Sequence, residues 1–193
     1  PYAAVTSIHT ALDALAGIMR DNNLAADDIA EVEAGLSQAT YVHCAWEYKA
    51  QGVTAAQMNL YYGLAMIALD GTAFVDQYRE ERLRDPRVLA FVPRTKARID
   101  PEIEAMGAQF RHGARVRVTT RDGRTFHAEL LNRRGSAENP LEPEDIEHKF
   151  RQVVRSCLAS AHIERIIALV HAIEKESRLD ELVAIVGAPA RLA

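Results

Sequence analysis

Cysteine is scarce in this sequence, and no metal-ligand pattern accompanies it. The 193 residues include two cysteines, Cys44 and Cys157. Two isolated cysteines cannot build a disulfide framework, and neither they nor the seven histidines have the spacing of a closed zinc site. We therefore expect no bound metal. Because a chain without disulfides suits a reducing compartment, we expect a cytoplasmic protein.

Neither sign of charge predominates, and no long apolar run is present. The sequence has 23 Lys and Arg residues against 27 Asp and Glu residues, which gives a formal net charge of −4. This balance gives no reason to expect nucleic acid or an anionic membrane as the partner. No stretch stays apolar for long enough to cross a bilayer. We therefore expect a small molecule or another protein as the partner.

The signature motifs of several enzyme classes are also missing. The sequence has no glycine-rich phosphate loop, no Gly-x-Ser-x-Gly elbow and no Cys-x-x-Cys pair. These absences argue against nucleotide-dependent enzymes and hydrolases. An initiator methionine and a signal peptide are missing as well, because the chain opens at Pro1 and leads directly into a helical pattern. We therefore expect a fragment of a longer protein.

The first elements present are a helix and a strand. Residues 8–19 carry apolar side chains at helical spacing, which predicts an amphipathic helix with Thr6 or Ser7 as its N-cap. Apolar and polar residues then alternate over residues 30–37, which predicts a half-buried strand.

A second helix is apolar nearly all round. Thr54 and Gln57 have the spacing of a capping box, the apolar run of residues 58–69 follows them, and Gly71 is expected to end the helix. A helix that is apolar on every side is expected to be buried.

The middle of the chain has the clearest strand signal. Residues 116–120 and 125–130 flank an Asp122-Gly123 turn, which predicts a β-hairpin. After Pro143 the spacing is helical again, and a last short helix is expected to end before Gly187 and Pro189. The order predicts an α+β fold, with helices packed on a small antiparallel or mixed sheet and a C-terminal helical segment.

Several short blocks occur in a particular order along the chain. They are Pro1-Tyr2 followed by His9-Thr10-Ala11-Leu12-Asp13-Ala14, Ala56-Gln57 to Tyr62 with Ala65 and Leu69-Asp70-Gly71, Asp85-Pro86-Arg87-Val88, Val116-Arg117-Val118 with Asp122-Gly123-Arg124, and Gly135, Asn139-Pro140-Leu141 and Lys149-Phe150. Their order and spacing together resemble the C-terminal half of the MmgE/PrpD family. That family includes 2-methylcitrate dehydratase, cis-aconitate decarboxylase and iminodisuccinate epimerase.

The resemblance implies a domain organisation and a type of reaction. Residues 1–141 would form an α/β lid domain, and residues 142–193 would form helices that pack on a missing N-terminal helical domain. The family's active site lies between the two domains, and its members form homodimers. Their reactions remove or add a proton beside a carboxylate, without metal or nicotinamide. The chain would then supply one wall of the site, and alone it is expected to be inactive.

The same resemblance points to three site residues. His9 matches the family's histidine, and Asp13 lies one helical turn later, where its carboxylate could orient the imidazole. Tyr62 matches a tyrosine that would donate a hydrogen bond or a proton to substrate, and Asn59 stands where a small hydroxyl is usual and is expected to bind substrate. Val5 occupies the place of a second active-site histidine of the decarboxylases, which favours a reaction like that of 2-methylcitrate dehydratase.

Less specific alternatives remain open for these residues. His9 could be a surface or capping histidine, and Tyr62 could be a core tyrosine whose hydroxyl is satisfied locally. The whole chain could be a non-catalytic dimerisation or ligand-binding module with the same lid fold, an alternative that the residues Val5 and Asn59 favour.

The remaining basic residues have no specific pattern. Seven arginines cluster in or near the hairpin, where a solvated face balanced by acidic residues is favoured over an anion-binding surface. They are Arg111, Arg115, Arg117, Arg121, Arg124, Arg133 and Arg134. Five further histidines are interpreted as ordinary surface or interface residues, namely His112, His127, His148, His162 and His171.

Overall fold

The computed structural model describes residues 1–175 and 177–188. The chain divides into two compact units, Pro1–Pro140 and Leu141–Ala193. The prediction that Pro189 follows the last helix concerns a residue outside the described part of the chain. No described helix is both long enough and apolar enough to cross a membrane.

The first unit contains seven α-helices and four strands among its elements. The helices are α1 (His9–Asp21), α2 (Gln38–Cys44), α3 (Val53–Met58), α4 (Leu60–Asp70), α5 (Glu80–Leu83), α6 (Pro86–Phe91) and α7 (Pro101–Ala105). The strands are β1 (Ile29–Leu36), β2 (Thr95–Ile99), β3 (Ala114–Thr120) and β4 (Thr125–Leu130). Short 3-10 turns connect them at Thr6–Ile8, Ala26–Asp28, Val75–Tyr78, Val92–Arg94 and Ala108–Phe110.

The strands form one mixed sheet in the order β2-β1-β3-β4. β1 pairs in parallel with β2 and antiparallel with β3, while β3 and β4 form the predicted antiparallel hairpin. The register aligns Ala34 with Ala97 on one side and with Val116 on the other, and Val116 with Ala128. The prediction of an α+β fold with helices packed on a small sheet is confirmed.

The core lies between the sheet and the two longest helices of this unit. α1 packs against β3, β4 and α4. Buried side chains at alternate positions of the strands, among them Val32, Ala34 and Val118, face this core. Gly63 lets α4 approach α1 closely, because a Cβ atom there would lie 3.1 Å from side-chain atoms of Ile8 and Leu12. This packing fixes the start of α1 relative to α4.

Charged side chains form ion pairs between strands of the sheet. Glu33 pairs with Arg98 and Arg117 across three strands, and Arg115 pairs with Glu129 on the neighbouring strand. These pairs agree with the interpretation of the hairpin arginines as a solvated face balanced by acidic residues.

Two predicted helix caps are wrong. Thr6 and Ser7 lie in a 3-10 turn, and the N-cap of α1 is Ile8, which makes no side-chain capping bond. Thr54 lies inside α3 rather than ahead of the buried helix, so the predicted capping box does not form. The helical path is interrupted at Asn59, whose extended backbone and side-chain oxygen start α4 instead.

The regular structure of the second unit is helical in the part of it that the structure describes. It comprises α8 (Pro143–Val154), α9 (Ser160–His171), a 3-10 turn (Ile173–Lys175) and α10 (Asp180–Val186). Cys157 follows α8 and is exposed. α8 and α9 border an apolar cleft of about 280 Å³ lined in part by Ile146, Phe150 and Val170. Ile146 and Val170 are 57% and 50% exposed, so this unit leaves much aliphatic surface uncovered.

Candidate functional site

His9 opens α1 and is almost completely buried, with 7% of its surface exposed. Its Nε2 atom lies 3.0 Å from the carbonyl oxygen of Ala4. A carbonyl can only accept a hydrogen bond, so Nε2 carries the proton and Nδ1 keeps a lone pair. Burial lowers the pKa of His9 below its usual value, more than offsetting the Ala4 bond and Asp13, which act in the opposite direction. The imidazole is therefore neutral near pH 7 and can accept a proton.

Tyr2 lies between His9 and the carboxylate that was expected to orient it. The edge of the Tyr2 ring meets the imidazole with 5.2 Å between ring centroids. The Tyr2 hydroxyl donates a 2.7 Å hydrogen bond to Asp13. Asp13 therefore acts on the imidazole through its charge, while its hydrogen bond from Tyr2 holds the chain's first residues against α1. Burial, then the charge of Asp13, raises the pKa of Tyr2, so its phenol stays protonated.

Tyr62 lies in the first turn of α4 and is fully buried. Its hydroxyl donates to the carbonyl oxygen of Gln77 at 2.5 Å. The ring packs against Tyr48 and Tyr78, with centroids 4.9 and 5.4 Å away. Burial raises the pKa of Tyr62, so this phenol also remains a proton donor.

Asn59 holds the turn that carries Tyr62. Its Oδ1 accepts a 3.0 Å hydrogen bond from the Tyr62 amide, and its Nδ2 donates a 2.7 Å bond to the carbonyl of Trp46. The side chain is completely buried. Both ends of the amide are thus used within the fold, and a direct contact of Asn59 with substrate stays a prediction.

A cluster of tyrosines connects the surroundings of His9 and Tyr62. The tyrosine cluster consists of Tyr2, Tyr48, Tyr62 and Tyr78. Tyr2 contacts His9 and Tyr78 contacts Tyr62, and the charge of an ionised Tyr78 adds, after burial and Asp13, to the causes that raise the pKa of Tyr2. The Tyr78 hydroxyl is buried and has no hydrogen-bond partner among the described residues. Sequence reasoning missed Tyr2 and Tyr78 because neither has a spacing that links it to His9 or Tyr62.

His112 is a second histidine close to the start of α1. The hydroxyl of Thr10 donates a hydrogen bond to the His112 carbonyl, and Arg111 Nε donates to His112 Nε2 at 3.1 Å. A guanidinium only donates, so Nε2 is the unprotonated nitrogen and Nδ1 carries the hydrogen. Nδ1 is buried without a partner in the described part of the chain, which costs about 1–3 kcal/mol. Burial, then the charges of Arg111 and Arg133, lowers the pKa of His112.

His112 borders a cleft of about 550 Å³, hereafter the His112 cleft. Its lining residues come from two segments at the open end of the β3–β4 hairpin, namely Gln109, Phe110, His112, Leu131, Asn132, Arg133, Gly135, Ser136, Ala137 and Glu138. Burial is the main cause that lowers the pKa of His9 and of His112, and the positive charge of Arg133 adds to it in both cases. Sequence reasoning interpreted His112 as a surface or interface residue and Arg133 as part of a solvated face, because only the fold brings His112 to Thr10 and both residues to one cleft.

The fold and the buried histidine at the start of α1 agree with the family expected from the short blocks. A family model for the MmgE/PrpD C-terminal domain matches residues 2–175. The chain therefore belongs to the MmgE/PrpD family, and the predicted membership is confirmed.

The relatives are considerably longer than this chain. It is 26% identical over 193 residues to "Cis-aconitate decarboxylase-like protein oryM" of Aspergillus oryzae, an alignment that covers 96% of this chain and 39% of the relative. It is 24% identical over 199 residues to "Cis-aconitate decarboxylase" of Aspergillus terreus, with 98% of this chain and 40% of the relative covered. The chain thus spans about two fifths of the length of the curated relatives it matches.

Proposed function

We propose that this chain is the C-terminal half of a lyase or isomerase that acts on a small di- or tricarboxylate. The proposed reaction moves a proton beside a carboxylate without a cofactor. Membership of the MmgE/PrpD family and the relatives named as cis-aconitate decarboxylases support this class of reaction. The observation that carries the proposal is His9, a buried neutral imidazole whose Nε2 proton is bound to the Ala4 carbonyl.

The proposed base is Nδ1 of His9. A general base needs a lone pair and a pKa that leaves it unprotonated at the working pH, and the burial of His9 supplies the second condition. In the proposed step the proton leaves the carbon beside a substrate carboxylate, and its bonding electrons develop enolate-like charge. Protonated phenols are suitable donors to that charge, and Tyr62 is the proposed one.

Dehydration of the 2-methylcitrate type is the proposed reaction: after the C–H bond breaks, its electrons form a carbon–carbon double bond and the hydroxyl on the neighbouring carbon leaves as water with a donated proton. Val5 occupies the position where resemblance puts a second histidine of the decarboxylases, and an isopropyl side chain cannot exchange a proton. The backbone amide of Val5 donates a 2.9 Å bond to the Gln57 carbonyl, so this position is held by the fold. The relatives bear the name of a decarboxylase, and this makes decarboxylation the second activity to assay.

The proposed partners are the N-terminal half of the protein and a second copy of the complete protein. The second unit exposes large aliphatic side chains on each of its three described α-helices, for example Ile146, Val170 and Val183. Exposed aliphatic surface of this kind is typical of an interface. It supports the proposal that the C-terminal helices pack against a helical domain in the complete protein.

The test compares this chain with a longer polypeptide that also carries the N-terminal half. Both are incubated with citrate, 2-methylcitrate and cis-aconitate, and the unsaturated product is followed by its ultraviolet absorbance, with chromatography to detect decarboxylation. Turnover by the longer polypeptide alone, and its loss in His9→Gln, is the expected result. His127→Gln is the matched control, because His127 is exposed on β4. Turnover that is unchanged in His9→Gln would refute the proposed role of His9.

A non-catalytic ligand-binding or dimerisation module is the second candidate. The observation that favours it is the complete burial of Asn59 and Tyr62, whose polar groups are bonded within the fold. Carboxylate binding without turnover of any of the three compounds by the longer polypeptide would support this module instead.

A further inference from the structure

We propose that the His112 cleft binds one carboxylate group of the substrate, with His112 and Arg133 as the recognising side chains. This inference rests on the proposed function, because it takes the substrate to be a small polycarboxylate. It adds a binding site that the family resemblance did not suggest, since His112 was interpreted as a surface or interface residue and a solvated face was favoured over anion binding for Arg133.

The first argument is the protonation of the His112 ring. Arg111 donates to Nε2, so Nδ1 must carry the hydrogen, and this N–H is buried without an acceptor in the described part of the chain. Buried donors in folded proteins nearly always have a partner, and a ligand is one of the few remaining sources. A carboxylate oxygen is a suitable acceptor because it can only accept.

The second argument is the charge in the cleft. Arg133 is half-buried in the cleft lining and forms no ion pair among the described residues, whereas Arg115, Arg117 and Arg124 of the hairpin are all paired. Guanidinium groups bind carboxylates in a two-pronged geometry that fixes the orientation of the ligand.

An acidic residue in the same cleft limits which anions can bind. Glu138 also lines the cleft, and a hydrogen bond from its own backbone and the charge of Arg133 lower the pKa of its carboxyl. An incoming carboxylate must therefore compete with Glu138 for the guanidinium. A ligand that bonds to both His112 and Arg133 therefore binds more tightly than a ligand that bonds to Arg133 alone.

The third argument is the position of the cleft. Thr10 follows His9 in α1, and its hydroxyl is bonded to the carbonyl of His112, so one lining residue of the cleft is attached to the residue next to the proposed base. Ala114 pairs with Leu130, which brings the two cleft-forming segments together at the open end of the hairpin. A carboxylate held there would orient a polycarboxylate whose reacting carbon lies toward His9. Because Nδ1 is closed to solvent, the ring or the loop must shift when the ligand enters.

The test measures citrate binding to this chain by titration calorimetry, so it does not depend on turnover. Arg133→Gln is expected to weaken binding about tenfold, the effect of losing a charge-assisted hydrogen bond. Arg124→Gln is the matched control, because it removes the same charge at the closed end of the hairpin, where Arg124 pairs with Asp122. Equal weakening by the two variants would overturn the proposal.

A pair of His112 variants separates recognition from folding. His112→Asn keeps a polar group near the position of Nδ1, whereas His112→Gln extends past it, so Asn is expected to retain more of the citrate affinity than Gln. In parallel, the ¹⁵N signal of Nδ1 is expected to move when citrate is added to the unsubstituted chain. Circular dichroism checks that each variant is folded. An unmoved Nδ1 signal at saturating citrate would overturn the assignment to His112.

Two further outcomes separate this site from the proposed function. Inorganic phosphate that binds as tightly as citrate and at the same residues would overturn carboxylate recognition. Arg133-dependent citrate binding with no turnover by the longer polypeptide would uphold the site and refute the lyase. Turnover that persists in Arg133→Gln with an unchanged KM would refute the site and uphold the lyase.

Discussion

The hydroxyl of Tyr2 donates a 2.7 Å hydrogen bond to Asp13, and the Tyr2 ring stands edge-on against His9. The Asp13 carboxylate thus holds Tyr2, which precedes α1, and the Tyr2 ring in turn covers the His9 imidazole. The same segment supplies the Ala4 carbonyl that fixes the His9 tautomer. The orientation of the proposed base therefore depends on how firmly residues 1–5 are held against α1.

Replacing Tyr2 by Phe tests this dependence. The ring contact with His9 is kept, but the partly buried hydrogen bond to Asp13 is lost. Because the acceptor is charged, we expect the free energy of unfolding to fall by about 1–2 kcal/mol, measured by urea denaturation. The control is Tyr41→Phe, since Tyr41 is a half-buried tyrosine of α2. A change of less than about 0.3 kcal/mol in Tyr2→Phe would show that the bond does not hold the segment.

The pH dependence of stability follows from the lowered pKa of His9. The unfolded chain takes up a proton near the usual value of 6.5, whereas the buried ring takes it up only at lower pH. The unfolded state therefore binds more protons between those two values, and stability falls as the pH drops through this window. Below the folded-state pKa this residue causes no further loss.

The measurement is urea denaturation at several values from pH 7.5 to pH 5, on the chain and on His9→Gln. The variant is expected to lose less stability over this range. It retains the contribution of His112, whose pKa is lowered in the same direction. Parallel curves for the two proteins would contradict the neutral, buried state of His9.

Local patterns account for much of the fold. The hairpin was predictable because Asp122-Gly123 supplies the turn and the flanking residues alternate, all within one short segment. The parallel pairing of β1 with β2 was not predictable, because α2 to α6 lie between the two strands in the chain and no local signal selects them as partners. The capping box failed because Thr54 and Asn59 both suit a helix start, and tertiary packing determines which one is used.

The site was predictable only where a short block carried it. His9 and Tyr62 stand in recognisable blocks, and the structure places them on packed helices. Tyr2 lies in one of those blocks, but its bond to Asp13 had no signal of its own. His112 is 102 residues from Thr10, so the hydrogen bond between them arises from long-range packing, and the pairing of β3 with β4 brings the segment of Arg133 to that of His112. Residues that meet through long-range pairing carry no periodic or motif signal.

Replacing Asn59 tests its role as a helix cap. Asn59→Ala removes the acceptor for the Tyr62 amide and the donor to the Trp46 carbonyl, both in a fully buried position. We expect a loss of about 1–2 kcal/mol in urea denaturation. Asn59→Ser keeps a capping oxygen and should lose less. If the two variants were equally destabilised, capping would not be the role of the side chain.

Replacing Tyr62 by Phe separates a catalytic phenol from a core phenol. The hydroxyl is buried and bonded to the Gln77 carbonyl, so its removal should cost about 1 kcal/mol of stability whichever role it has. If the phenol also donates to substrate, turnover by the longer polypeptide should fall about 10²-fold. Tyr48→Phe is the matched control, because its hydroxyl donates a 2.8 Å bond to the Leu83 carbonyl and its ring packs on Tyr62.

The two variants differ only in the position of the lost hydroxyl within the tyrosine cluster. A similar loss of stability in both, with lost turnover in Tyr62→Phe alone, would support the catalytic role. Such a result would also require Tyr62 to exchange its bond to Gln77 for one to substrate, because its hydroxyl has a single proton to donate. The 3-10 turn Val75–Tyr78, which carries that carbonyl, would then have to move when substrate binds. Equal turnover in the two variants would instead make Tyr62 a core residue and leave His9 as the one catalytic group proposed in this half.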